Sequence, residues 1–300
     1  GLDQVVAETN PDWVLAQGDT TTVFAAAVVA FYRKVRFGHV EAGLRTGDKH
    51  RPFPEEINRR LADVVSDTYF APTERARRTL LAEGCRAEDV YVTGNTVIDA
   101  LLQIVARDYS WNDGPLAALP NDQRLVLVTA HRRDSFGAPF RDLCLAIREL
   151  SERFAGEGVH FVYPVHLNPN VRGPVRELLR GRANLTLLEP LDYFSLVHLM
   201  KRSALILTDS GGIQEEAPSL HVPVLVMRET TERPEGIEAG VARLVGTDRA
   251  RIVREATRLL EDPAAHQAMA GGGSPYGDGR AAQRIVQVLL PSACARRLAA

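Results

Sequence analysis

Lysine is almost missing from this chain. Among 36 basic residues only Lys34, Lys49 and Lys201 are lysines, which leaves few amines for Schiff-base chemistry. Cysteine is as rare: Cys85, Cys144 and Cys294 lie far apart with no C-x-x-C pair. Neither a disulfide framework nor a zinc site is suggested, and the chain reads as cytoplasmic. Charge of one sign is lacking as well, since a formal net charge of -2 gives no footing for nucleic acid or a polyanionic membrane. No apolar run reaches membrane-spanning length, and no basic-plus-apolar leader opens the chain. G-x-x-x-x-G-K-[ST] and a strand-linked G-x-G-x-x-G are absent, which argues against a Walker-type ATPase and against NAD. G-x-S-x-G and H-E-x-x-H are absent too.

What is present is ordinary in bulk and patterned in detail. The 300 residues, 45% apolar and 25% charged, suit two domains or one large α/β domain. Short apolar runs at 13–17, 34–39, 64–71, 90–93, 125–129, 160–165, 185–188, 204–208 and 222–226 read as buried strands. Helical patterns follow them at 23–32, 54 onward, 73–83, 97–106, 140–154, 171–179, 193–201, 213–217, 249–260 and 280–290. Gly114, Pro115, Pro120 and Asn121 mark a linker between them. The expectation is α/β, with two doubly wound Rossmann-like domains over 1–112 and 113–279, facing across a cleft, and a frayed tail at 291–300. Every polar cluster falls at the carboxyl end of a strand: Gly18–Thr22, Glu41–Thr46, His131–Arg133, His166–Asn168 and Asp209–Gly212. In open parallel sheets that is where ligands bind.

The stretch 204–218, A-L-I-L-T-D-S-G-G-I-Q-E-E-A-P, is the most informative. Two glycines at a strand-to-helix turn let backbone N–H groups approach an anion at the positive end of the helix dipole. Ser210 adds a hydroxyl, and Glu215 and Glu216 follow one turn on, placed to accept from sugar hydroxyls. An ordinary βα turn, tightened by glycine and with acids favouring the helix start, is the competing reading. The first domain supplies the carboxylates Asp19, Glu41 and Glu55; the second supplies His131, Arg132, Arg133 and His166. Proton-transfer groups on one side and anion binders on the other suit a nucleotide-activated substrate. Each has a structural alternative: Asp19 as a helix N-cap, Glu55 and Glu56 as first-turn acids, and His131 and His166 as packed histidines.

Nine blocks then carry a resemblance. Q-G-D-T-T-T (17–22), H-V-E-A-G-L-R-T (39–46), R-P-F-P-E-E-I-N-R (51–59), V-T-G-N-T-V-I-D (92–99), T-A-H-R-R (129–133), Y-P-V-H-L-N-P (163–169), L-L-E-P-L-D-Y (187–193), T-D-S-G-G-I-Q-E-E-A-P (208–218) and R-E-T-T-E-R-P-E (228–235) occur in order. Together they resemble the non-hydrolysing UDP-N-acetylglucosamine 2-epimerases over nearly the whole chain. The resemblance implies a GT-B arrangement of two Rossmann-like domains, with the last helix, 280–290, packing back on the first. It implies interconversion of UDP-GlcNAc and UDP-ManNAc by elimination and re-addition of UDP, with no metal or cofactor, in a homodimer. Asp19, Glu41, Glu55 and His131 match the family's catalytic groups. Ser210, Gly211 and Gly212 match its phosphate turn and Glu216 its ribose contact. Arg45, His166 and Arg233 are the further substrate-binding candidates. The family's H-R-R-E-N stands here as His131-Arg132-Arg133-Asp134-Ser135, with a side chain one methylene shorter at Asp134. The family also opens with a strand and a G-T-R-P-E loop that do not precede Trp13, so the first domain is expected to be incomplete. A hydrolysing 2-epimerase, a GT-B glycosyltransferase and an inactive sugar-nucleotide-binding fragment are the alternatives.

Overall fold

Alternating strands and capped helices run through the whole structure, a computed structural model that describes residues 1–290. The chain passes through α1 (Leu2–Thr9), β1 (Trp13–Gln17), α2 (Thr21–Arg33), β2 (Arg36–Val40), α3 (Glu55–Val65), β3 (Thr68–Ala71), α4 (Glu74–Ala82), β4 (Val90–Val92) and α5 (Thr96–Val105). It continues with β5 (Arg124–Thr129), α6 (Ala138–Arg153), β6 (Val159–Pro164), α7 (Pro169–Leu179), β7 (Leu185–Leu188), α8 (Tyr193–Arg202), β8 (Ser203–Thr208) and α9 (Gly211–Ser219). β9 (Val224–Val226), α10 (Pro234–Glu238), β10 (Ala242–Leu244), α11 (Arg249–Glu261), α12 (Pro263–Ala270) and α13 (Ala281–Leu289) complete it. Two units result, Gly1–Ala100 with the segment from Tyr276, and Leu101–Pro275. Their boundary falls inside α5, whereas the sequence placed it at 112, where Gly114 and Pro115 suggested a linker.

The first unit is built on four parallel strands in the order β1-β2-β3-β4. Alternation along β2 splits its side chains between two faces. Phe37 packs with Val23, Ala26, Ala27 and Ala30 of α2 and Ala62 of α3. Val40 and Phe70 point the other way and meet Ile285 of α13. The valines at 64 and 65 were expected in a strand with Ala71; they instead finish α3, and β3 begins at Thr68. Side chains of Ser66 and Asp67 make the break, the first donating to Ala62 O (2.8 Å), the second accepting from Phe37 N (2.7 Å).

The second unit holds a six-stranded parallel sheet ordered β10-β9-β8-β5-β6-β7. Numbered within the unit, that is the doubly wound order 3-2-1-4-5-6 read backwards, with its switch point between β5 and β8. The core joins β5, β6, β8 and β9 to α6, α7 and α11 through buried residues such as Phe140, Ile147, Phe161, Leu207 and Leu259. Three short elements escaped the sequence reading: α10, β10 and α12. Each is eight residues or fewer, too short for a periodicity to declare itself. The expected tail at 291–300 lies outside the described residues. No helix among the described residues is long and apolar enough to cross a membrane.

Gly43 shows how tightly the polar strand ends are held. Its φ is +87°, and a Cβ there would stand 2.9 Å from Leu80 Cγ and inside contact distance of the Ala76 carbonyl oxygen. Gly43→Ala should therefore lose about 2–4 kcal/mol, from the left-handed backbone and from overpacking against α4. Urea unfolding checks this: the midpoint should fall while the slope stays constant.

Candidate active site

At the switch point of the second unit, β5 leads into His131-Arg132 and β8 into Asp209-Ser210. Asp209 ties the two ends together. Its N–H donates to Thr129 O (3.0 Å), and its Oδ2 accepts from the backbone N–H of His131 (2.7 Å) and Arg132 (2.8 Å). The carboxylate is 0% exposed, and its Oδ1 has no hydrogen-bond partner among the described residues. That oxygen lies 3.7 Å from His131 Nδ1. Burial pulls the His131 titration down; Asp209 opposes this, while His166 and Arg132 add to it. The His131 ring stacks on His166 at 5.3 Å between centroids. His166 Nδ1 accepts from Asn168 N (3.1 Å), which puts the ring proton of a neutral His166 on Nε2. Tyr163 donates its hydroxyl to Ala130 O (2.6 Å), fixing the turn from below.

Ser210, Gly211 and Gly212 open α9 with no side-chain cap on its first N–H groups. The Ser210 N–H itself donates to Thr208 Oγ1 (2.9 Å), so α9 begins on a fixed turn. Arg233 lies against the Gly211 Cα, where a Cβ would meet Nη1 at 2.7 Å. Its guanidinium donates to Glu215 and to Glu232 Oε1 (2.5 Å), and Arg228 donates to Glu232 Oε2 (3.0 Å). Arg132 Nη2 is 3.7 Å from the same Glu232. Three guanidiniums cluster beside the uncapped start of α9, an arrangement that suits a diphosphate. Burial lowers Arg228, with Glu232 opposing. Glu216 accepts the Tyr193 hydroxyl (2.6 Å); burial pushes Glu216 up and that hydrogen bond draws it back.

In the first unit the adjacent ends of β1 and β2 set Glu41 against Gly18, the residue before Asp19. Gly18 (φ +87°) donates its N–H to Val40 O (3.0 Å), and a Cβ at Gly18 would lie 3.6 Å from Glu41 Oε2. Glu41 itself has φ +68°, a left-handed conformation uncommon outside glycine. The N-cap of α2 is Thr20, which accepts from Val23 N (3.4 Å), so Asp19 is spared that role. The Asp19 carboxylate takes the Arg59 guanidinium, and Asn58 Nδ2 donates to Asp19 O (2.9 Å). Glu55 stands half-buried at the start of α3 with no hydrogen-bond partner among the described residues. Its neighbour Glu56 is the buried one, accepting from Thr46 N (3.0 Å) and Gly47 N (3.1 Å).

Arg45 departs from expectation. Placed by the sequence among substrate-binding groups, it makes four internal hydrogen bonds instead: two to Glu83, one to Asp63 and one to Leu44 O. Nearly all of a guanidinium's donors are thereby used. Sequence reasoning also passed over Arg59, Asp63, Tyr193, Asp209, Arg228 and Glu232. A signal for the first two was available, since α3 turns Glu56, Arg59 and Asp63 inward at i, i+3 and i+7 while Val64 is 78% exposed. The helix is amphipathic with its polar face inside.

Known proteins share this architecture. A family model described as UDP-N-acetylglucosamine 2-epimerase matches residues 1–290. The UDP-N-acetylglucosamine 2-epimerase of Escherichia coli K12 is 50% identical over 297 residues, covering 96% of this chain and 78% of that protein. The crystal structure of the Neisseria meningitidis UDP-GlcNAc 2-epimerase bound to UDP-GlcNAc superposes with a TM-score of 0.90 at 45% identity, covering 96% of this chain and 78% of that one. The Methanocaldococcus jannaschii enzyme in complex with UDP-GlcNAc and UDP gives a TM-score of 0.82 at 34% identity, with the same coverages. A family model spanning the described chain, and relatives at about half identity over nearly all of it, settle the family: this chain belongs to the UDP-N-acetylglucosamine 2-epimerase family.

Proposed function

We propose that the chain interconverts UDP-GlcNAc and UDP-ManNAc by expelling UDP and adding it back. The observation that carries the reading is the Gly18 turn, which has the Glu41 carboxylate against Gly18 and Asp19 as its next residue, paired with Arg59. The C2 proton of the sugar is not next to a carbonyl, so its removal must be coupled to loss of the leaving group at C1. A base takes the C2 proton, the C1–O bond breaks toward the diphosphate, and a C1=C2 double bond forms in a 2-acetamidoglucal. Re-addition of the UDP oxygen at C1, with a proton delivered to the other face of C2, gives the epimer. Two faces need two proton-transfer groups, and Glu41 and Asp19 take these roles, with Glu55 as the third acid.

The second unit's groups act on the nucleotide. Ser210 and the N–H groups at Gly211 and Gly212 hold the diphosphate, with Arg233, Arg228 and Arg132 balancing its charge. Glu216, oriented by Tyr193, accepts from the ribose. His131, whose charged form burial disfavours, is assigned to donate to the departing diphosphate, with His166 stacked on it. Arg45 is better read as a support of the Leu44 and Asp63 region than as a ligand to substrate.

Incubation with UDP-GlcNAc in D₂O, followed by NMR, tests the reaction. UDP-ManNAc should appear with deuterium at C2. Release of UDP in step with substrate loss would mark hydrolysis, and sugar transfer with no label at C2 would mark a glycosyltransferase. Glu41→Gln and Asp19→Asn should each lose about 10²–10⁴ in turnover while UDP binding by calorimetry persists. Ser210→Ala should instead weaken UDP binding, by about 1–3 kcal/mol. Asp209→Asn removes the charge that holds the His131 titration up, so its midpoint should fall further below the ordinary His value, as read from imidazole C2–H shifts.

A homodimer is proposed as well. Phe31 (59% exposed) and Tyr32 (77%) on α2 and Val64 on α3 face outward as large apolar groups. Light scattering after size exclusion should give twice the chain mass, and Tyr32→Asp with Val64→Asp should shift the protein toward monomer.

A further inference from the structure

His39 is fully buried on β2, and both of its ring nitrogens meet acceptors. Nε2 lies 2.7 Å from the carbonyl oxygen of Gly18. A carbonyl only accepts, so Nε2 carries a proton. Nδ1 lies 2.5 Å from Asp63 Oδ1, and Asp63 Oδ2 accepts from Arg45 Nη2 (2.6 Å). A carboxylate that already pairs with a guanidinium is ionised, so Nδ1 carries a proton too. Arg45 is balanced in turn by Glu83 (2.7 Å). The chain of charges alternates His39, Asp63, Arg45, Glu83 and sums to zero.

We infer that His39 is a buried imidazolium whose Nε2–H grips the Gly18 carbonyl and so positions Asp19, making it a positioning residue for the reaction proposed above. The Gly18 peptide is then clamped at both ends, its N–H by Val40 O and its carbonyl by His39. Asp19 is the next residue, and Glu41 lies two residues beyond His39. Charged groups reach the imidazole from two packed elements, with Arg45 behind Asp63. Asp63 comes from α3 and Glu41 from the end of β2; Tyr69, the register partner on β3, donates its hydroxyl to Asp63 O (2.9 Å). Burial alone would lower His39, but Asp63, the Gly18 carbonyl and Glu41 together raise it; burial would raise Asp63, and His39 and Arg45 together lower it. The sign follows. With His39 raised, its contribution is complete below the ordinary His value of about 6.5 and is lost as pH rises through the higher folded value. With Asp63 lowered, its contribution is present above about 3.9 and is lost as pH falls through the lower folded value.

The first test needs no substrate. Long-range ¹H–¹⁵N spectra of the ¹⁵N-histidine protein, taken about one unit above the ordinary His value of ~6.5, should show both His39 nitrogens protonated. Assignment comes from the resonance lost in His39→Gln. A neutral ring, protonated at only one of its two nitrogens, would overturn the inference. The second test reads the positioning role. His39→Gln should reduce kcat about 10²-fold, the scale of a misplaced catalytic group, with UDP affinity unchanged. Asp63→Asn, which leaves the ring in place without its counter-charge, should move the alkaline limb of the kcat profile down toward the ordinary His value. An unmoved limb together with an unchanged kcat in His39→Gln would sink the positioning role. If the wild-type protein fails to epimerise UDP-GlcNAc at all, the proposed reaction falls, and the spectrum still decides the charge on His39.

Discussion

A single buried carboxylate sets the geometry of the second unit's site. Asp209 has no exposure, and the hydrogen bonds it accepts come from the backbone of the neighbouring strand's end. Backbone N–H groups to an ionised oxygen form strong, short bonds, so the loop after β5 is pinned to the start of the loop after β8. The two strands part at this point because their helices leave in opposite senses. Asp209 bridges the gap that the topology opens, and in doing so it presents His131 above and the glycine turn beside it. Removing its charge would leave two buried N–H groups without their acceptor strength.

The first unit solves a related problem by a different route. Its carboxylates sit on a turn after a parallel strand, where little else restrains a peptide with positive φ. Restraint comes from α3, which faces the sheet with Glu56, Arg59 and Asp63 rather than with leucines. Each of those buried charges has a partner: Glu56 the Thr46 and Gly47 amides, Arg59 the Asp19 carboxylate, Asp63 both His39 and Arg45. A polar interior of this kind adds little net stability. It supplies directional bonds where apolar packing would supply none.

Much of this was legible in the sequence, for identifiable reasons. Strands buried on both faces declare themselves as short apolar runs, so β1, β5, β7 and β8 were found nearly residue for residue. Polar clusters at strand ends located both carboxylates of the Gly18 turn and the Ser210 turn. The structure parts from the reading where a helix hides its role. Glu55 and Glu56 are adjacent in sequence but about 100° apart around α3, and it is Glu56 that turns inward. Arg45 belonged to a polar cluster at a strand end and so looked like a ligand-binding group, yet its partners Asp63 and Glu83 lie far along the chain, where no periodicity points to them. Asp209 stood within a block already singled out. Its burial, which turns an acid beside a glycine turn into a structural clamp, is a property of the fold alone.

The guanidinium of Arg233 rests on Gly211 with its charge already met by Glu215 and Glu232. At the diphosphate site proposed above, an arriving phosphate would compete with attractions that exist before it comes, so the gain on capture would be a difference between two sets of ion pairs. For a catalyst that must let a diphosphate go and then take the same one back, this exchange keeps the bound state shallow.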